Sequence, residues 1–222
     1  MPTTPGKSRK RRSTSLLASK TLSIRDEIRS VGLACDTAAR QLKDDVLLSD
    51  AEHAMRELQP TVENFGHLWL CGNGPGFCLA VEMAYRLMTP SNRYESQTRA
   101  TVLNANGAIN STSYGKAGSN ESMAAELAAL GRKGDALWCF ASDPTSRNLL
   151  GVATKAYREL KIPVVVFTSY PGTPIIRFSH AKLRIKEAED HDVSGYCVQW
   201  AHHFIATIIC NQLKRVAKAA RG

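Results

Sequence analysis

Leu68-Trp69-Leu70-Cys71-Gly72-Asn73-Gly74-Pro75-Gly76 decides the fold, because an apolar run breaks there into a glycine-rich turn and then enters a helix. A buried strand that ends on the backbone N–H groups of a helix start makes a ready anion site. A second such unit follows: Ala136-Leu137-Trp138-Cys139-Phe140 runs into Ala141-Ser142-Asp143-Pro144-Thr145-Ser146 and another helix. Two loops at the ends of two strands can grip both ends of one small anionic ligand, of the size and charge of a sugar phosphate.

Outward from these units the pattern alternates. Ile24, Ile28, Val31, Leu33, Ala38, Leu42, Val46 and Leu47 recur at helical spacing between Leu22 and about Gln59, and Pro60 is expected to close that stretch. Strands are then predicted over 67–72, 100–104, 136–140, 163–168 and 182–186, with helices over 79–88, 119–130, 149–160 and 192–219. Short β-rich apolar runs separated by helices imply a parallel sheet covered on both faces. The predicted fold is α/β: a three-layer α/β/α sandwich on a five-stranded, mainly parallel sheet, with a helical N-terminal extension. Residues 1–20 read as a disordered basic arm, 21–60 as the helical segment and 61–222 as the α/β domain. The last helix carries Cys197, Trp200, Ala201, Phe204, Ile208 and Ile209 in a stripe wide enough for its own sheet and a neighbouring subunit.

The chain has 222 residues, 43% of them hydrophobic and 22% charged, which is ordinary for a globular protein. No apolar run approaches the roughly 20 residues that cross a bilayer, and the basic N-terminus lacks the apolar core of a signal peptide. The net charge is +9, and Lys7, Arg9, Lys10, Arg11 and Arg12 supply five of those charges in one short stretch. That arm serves either as a solubilising tail or as a contact for nucleic acid or another polyanion. Cys35, Cys71, Cys78, Cys139, Cys197 and Cys210 sit singly in apolar segments, the usage of reduced, buried thiols in a cytoplasmic protein.

Cys71-Gly72-Asn73-Gly74, Ala129 to Leu137, the Ser/Thr loop after that strand, Val164 to Thr168, Gln41 to Asp45 and the helix around His202 together resemble the sugar isomerase (SIS) domain. The likeness runs over about residues 25–215. It is nearest to the phosphoheptose isomerases and to the replication-initiator-associating proteins that share their fold. The resemblance implies a homotetramer with a phosphorylated sugar bound at subunit interfaces. It also implies proton transfer between adjacent carbons by an acid–base pair, often with a metal that polarises the oxygens.

Residue by residue the resemblance is incomplete. Phosphoheptose isomerases carry a His and, four residues on, a Glu on the helix after the first loop, with a Gln and a His on the last helix. Glu82 and Arg86 stand at the first two positions, Ser194 at the third, and His202 matches the fourth. Glu82 and His202 are therefore the candidate catalytic pair. Zinc is the candidate metal, with its family ligand set largely missing and no metal ligand assigned. Glu82 and Arg86 also read as a solvated i,i+4 ion pair, and His202 as an interface histidine. Asn73, Gly74, Gly76, Ser113, Ser142, Asp143 and Ser146 are the candidate sugar-phosphate contacts. Ser113 replaces a family aspartate, and Asp143 a serine whose loss puts a carboxylate beside the phosphate. Asp143 alternatively caps the next helix ahead of Pro144, with Arg147 offering a compensating cation.

These residues favour a phosphosugar-binding member with a degenerate acid–base site. The alternatives are an active isomerase on a sedoheptulose 7-phosphate-like substrate and a non-catalytic tetrameric scaffold for a protein or nucleoprotein partner.

Overall fold

The computed structural model describes residues 23–90, 98–105, 121–141, 145–170, 172–187 and 191–221. The basic arm, Ser113, Ser142, Asp143 and the side chain of Ser194 lie outside the described residues.

Helices α1 (Ile24–Gln41) and α2 (Asp45–Glu63) open the chain. Ser23 caps α1 by accepting the N–H of Asp26, and Asp44 caps α2 by accepting that of Val46. Pro60 does not end α2, as the sequence suggested. It sits in the last turn, where the helix continues to Glu63 before Phe65 takes a left-handed φ of 56°. Then follow β1 (Leu68–Gly72), α3 (Pro75–Met88), β2 (Ala100–Val102), α4 (Ser122–Leu130) and β3 (Ala136–Ala141). α5 (Arg147–Lys155) runs into a π-helical turn over Ala156–Leu160, and β4 (Val164–Thr168), β5 (Ala181–Arg184) and α6 (His191–Ala219) complete the chain.

All five strands are parallel, in the order β2-β1-β3-β4-β5. Alternate residues face opposite layers, and every residue of β1, β3 and β4 is buried. Leu68, Leu70, Trp138, Phe140, Val165, Phe167 and Leu183 meet the layer built from α1, α2, α3 and α6. Trp69, Cys71, Leu137, Cys139, Val164 and Val166 meet α4 and α5. The N-terminal helices thus share one core with the sheet, Ala34, Ala38, Leu47, Ala54 and Leu58 being buried in it. Among the cysteines Cys78 departs from expectation: it is exposed on α3, and Cys35 is half-buried. No helix among the described residues is long and apolar enough to cross a membrane.

The central pair of strands is aligned by Asp135, a buried residue just ahead of β3. Its carboxylate accepts the backbone N–H of His67 at 2.9 Å, the indole Nε1–H of Trp69 at 2.9 Å and the backbone N–H of Arg132 at 2.8 Å. In the layer above, Trp138, Phe140 and Phe167 form an aromatic cluster with centroids 5.0–5.6 Å apart. His202 of α6 sets its ring edge-on against Phe167 at 5.4 Å and is 2% exposed. Its Nε2 has no hydrogen-bond partner among the described residues. Burial holds its pKa down, to about 3, against a hydrogen bond with the Thr168 backbone that raises it.

Two predictions follow from this packing. Asp135→Ala leaves three donors without their acceptor and should cost about 3 kcal/mol in urea denaturation; a loss under about 1 kcal/mol would mean that water replaces the carboxylate. His202 stays neutral in the fold but takes up a proton in the unfolded chain below pH 6.5. Its contribution to stability therefore falls as pH drops from about 6.5 towards 3, by about 1.4 kcal/mol per pH unit. Stability measured at pH 7 and pH 5 should differ by about 2 kcal/mol more in the wild type than in His202→Gln.

Candidate functional site

The strand order places a topological switch between β1 and β3, whose following helices, α3 and α5, leave for opposite faces of the sheet. A crevice at the C-terminal ends of the strands is the general consequence of that arrangement. Both loops named from the sequence open there.

The first loop needs its glycines for separate reasons. A Cβ on Gly72 would fall 2.4 Å from the carbonyl oxygen of Gly76, so the turn closes only without one. Gly74 takes φ 50°, ψ −123° at the start of α3, a conformation that side chains resist. Gly76 is buried and gives its backbone to this close packing.

Asn73 ties that loop to the second one. Its amide Nδ2 donates to Oδ1 of Asn148 at 2.9 Å, and Nδ2 of Asn148 donates back to Oδ1 of Asn73 at 2.9 Å. Asn73 Nδ2 also reaches Ser146 Oγ at 3.2 Å. Asn148, in the first turn of α5, is a residue the sequence reading missed, because its partner lies 75 positions away. Ser146, not Asp143, occupies the N-cap position of α5, and the helix starts at Arg147. Neither Gly74 nor Ser146 turns a side chain back onto the helix it precedes. A cavity of about 70 Å³ adjoins this second loop, lined by Ala141, Thr145, Ser146, Leu149 and Ile175 among others.

On α3 and α6 the structure places the two members of the expected acid–base pair in different surroundings. Glu82 meets His203, not His202: His203 Nε2 lies 2.8 Å from Glu82 Oε2. The other carboxylate oxygen accepts from Arg86 twice, from Nε at 2.9 Å and from a terminal NH₂ at 2.7 Å. Consecutive residues on a helix point about 100° apart, so His203 faces α3 along the half-exposed edge while His202 turns into the sheet. Burial pushes the Glu82 carboxyl up, but hydrogen bonds from His203 and Arg86, with their charges, outweigh it and hold the group below its ordinary value.

This trio does not fit a divalent metal. No three His, Cys, Asp or Glu side chains converge on one point among the described residues. The third member here is a guanidinium, which stays protonated and repels a cation.

One further buried carboxylate went unread in the sequence. Glu126 of α4 accepts the backbone N–H of Asn104 at 2.8 Å and thereby fixes the turn that leaves β2, where Asn104 takes φ 72°. Away from the switch point, a cavity of about 530 Å³ lies over the ends of β4 and β5, lined by Arg40, Asp44, Asp50, Arg184 and Lys186 among others.

The family model of the SIS domain matches residues 37–169. A phosphoheptose isomerase from Francisella tularensis superposes with a TM-score of 0.78 at 21% identity, covering 87% of this chain and 100% of that one. A phosphoheptose isomerase from Neisseria gonorrhoeae gives 0.74 at 18% identity, over 86% of this chain and 99% of its own. The Vibrio vulnificus NanR protein, complexed with ManNAc-6P, gives 0.61 at 16% identity, over 89% of this chain and 67% of its own. Such low identities attest the fold alone. The domain model, however, spans more than half of the sequence, and this chain belongs to the SIS domain family.

Proposed function

We propose that this protein binds a phosphorylated sugar in the crevice between the β1 and β3 loops and does not turn it over. Asn73, Gly74, Gly76 and Ser146 belong to that crevice in this reading, and Ser113, Ser142 and Asp143, outside the described residues, are proposed contacts from the family resemblance. Asn73 acts mainly by holding the two loops together through Asn148. The similarity to phosphoheptose isomerases and to a protein complexed with ManNAc-6P supports a phosphosugar as the ligand class.

The observation that carries the absence of turnover is the state of Glu82. A general base works best with a pKa near the operating pH. Glu82 is shifted the other way, and both its oxygens are engaged by Arg86 and His203. An active aldose–ketose isomerase is the second reading, favoured by one feature: a carboxylate and an imidazole still stand 2.8 Å apart. In that reading Glu82 and His203 carry the proton transfer, and no step passes through zinc.

We place the site in a homo-oligomer, with a tetramer as the expected form. α6 exposes Tyr196, Trp200, Phe204 and Ile208 on one stripe, and α1 exposes Ile24, Ile28 and Leu33. Apolar faces of this kind mark association surfaces. Sedimentation at micromolar concentration should show an oligomer, and a monomer would overturn this assignment. The basic arm, with five cations between Lys7 and Arg12, suits a polyanion such as nucleic acid.

Proton NMR of sedoheptulose 7-phosphate in D₂O, with the protein and with or without zinc, separates the readings. Saturation transfer to the sugar without deuterium uptake is the expected result. Deuterium next to the carbonyl would establish an isomerase, and silence on both would remove the phosphosugar as ligand. Asn148→Ala should weaken sugar-phosphate binding about tenfold by releasing the two loops from each other, read as a shift in the NMR titration midpoint.

A further inference from the structure

α1 and α6 bring two cysteines from distant parts of the sequence into contact. Cys35 Sγ and Cys197 Sγ lie 2.8 Å apart, across 162 positions of chain. A disulfide needs the sulfurs at about 2.05 Å, so the pair closes with a movement of less than about 1 Å. The two thiols differ in access: Cys35 is half-buried, whereas Cys197 is 1% exposed and also lies 3.5 Å from the Val31 carbonyl.

We propose that Cys35 and Cys197 form an oxidation site, at which a peroxide drives an intrachain disulfide that staples α1 to α6. The half-buried Cys35 is the sulfur a small oxidant reaches. Its thiolate attacks the O–O bond of hydrogen peroxide, giving a sulfenic acid and, after protonation of the leaving hydroxide, one water. The Cys197 sulfur then attacks the sulfenic sulfur, its proton passes to the departing hydroxyl, and a second water leaves. Two thiols and one peroxide become one disulfide and two waters. Burial, and then the adjacent Cys35, pushes the Cys197 thiol up to about 12, which leaves the first attack on peroxide to Cys35.

The other cysteines compete poorly. Cys71 and Cys139 face each other in register on β1 and β3, but both are fully enclosed in the sheet. Cys210 is buried against Met83, and Cys78, although exposed, makes no contact with another sulfur among the described residues. The link would matter because α1 is lightly held: within it only Ala34 and Ala38 are buried, while Ile24, Ile28 and Leu33 are exposed.

The test uses the reduced full-length protein treated with hydrogen peroxide, digested without reductant and examined by mass spectrometry. The expected product joins the Cys35 and Cys197 peptides within one chain, is reversed by dithiothreitol, and is absent from both Cys35→Ser and Cys197→Ser. Tm should rise by about 5 °C or more on oxidation of the wild type and stay unchanged in the two variants. Cysteines that remain alkylatable after peroxide, a Cys35 that stops at sulfinic acid, or a Cys35 link between chains would each overturn the proposal. A linked product without a rise in Tm would overturn the staple.

Discussion

The register between β1 and β3 governs where the loops of this protein can meet, and the Asp135 carboxylate secures it from the far end of the strands. By accepting donors from His67, Trp69 and Arg132, it fixes the entry of β1 against the turn that leads into β3. Parallel ladders are evenly spaced, so an alignment set at one end is transmitted along the pair. Leu68 is opposite Ala136 at the start, and Gly72 is opposite Phe140 at the end. The glycine-rich turn and the Ser146 loop are thereby delivered to the same height. Only at that height can Asn73 and Asn148 exchange two hydrogen bonds, which makes the crevice a consequence of the sheet and not of the loops alone.

Charge then decides what the neighbouring helix edge can do. The Glu82 carboxylate lies between a guanidinium, which compensates its charge, and an imidazole nitrogen 2.8 Å away. Exposed pairs of this kind contribute little to stability, because water screens them and their long side chains lose freedom. Their effect on reactivity is larger than their effect on folding. A carboxylate held in its charged form by two donors gives up basicity, and the fixed cation of Arg86 excludes a metal from the same place. On the proposed phosphosugar-binding reading, these three side chains weigh against turnover.

Much of the fold was legible because the apolar runs are short, bounded and nearly uninterrupted, as strands buried on both faces must be. Leu68–Gly72, Ala136–Ala141 and Val164–Thr168 fall within a residue or two of where the sequence puts them. Pro60 misled because proline is costly inside a helix, yet α2 tolerates it in its last turn, forgoing the one bond that residue 60 would donate to the Arg56 carbonyl. The site was less legible. Asn148 pairs with a residue 75 positions away, and no local pattern announces such a partner. Of the adjacent histidines, family spacing singled out His202, but the core claimed that ring, and His203 was left to face Glu82.

That exchange of histidines follows from the shape of α6. The helix lies between the sheet and its own exposed stripe, so each position belongs to one side or the other. Cys197, Ala201 and Ile205 are buried, and His202, beside Ala201, shares their side against Phe167. Tyr196, Trp200, Phe204 and Ile208 take the outer face. His203 stands between these rows, half-exposed, where it reaches α3 without losing contact with water. A buried imidazole such as His202, held neutral by its surroundings, does not gain a proton at working pH. The histidine at the family-spaced position thus belongs to the core, and the one that reaches Glu82 stands beside the exposed stripe that carries Trp200 and Phe204.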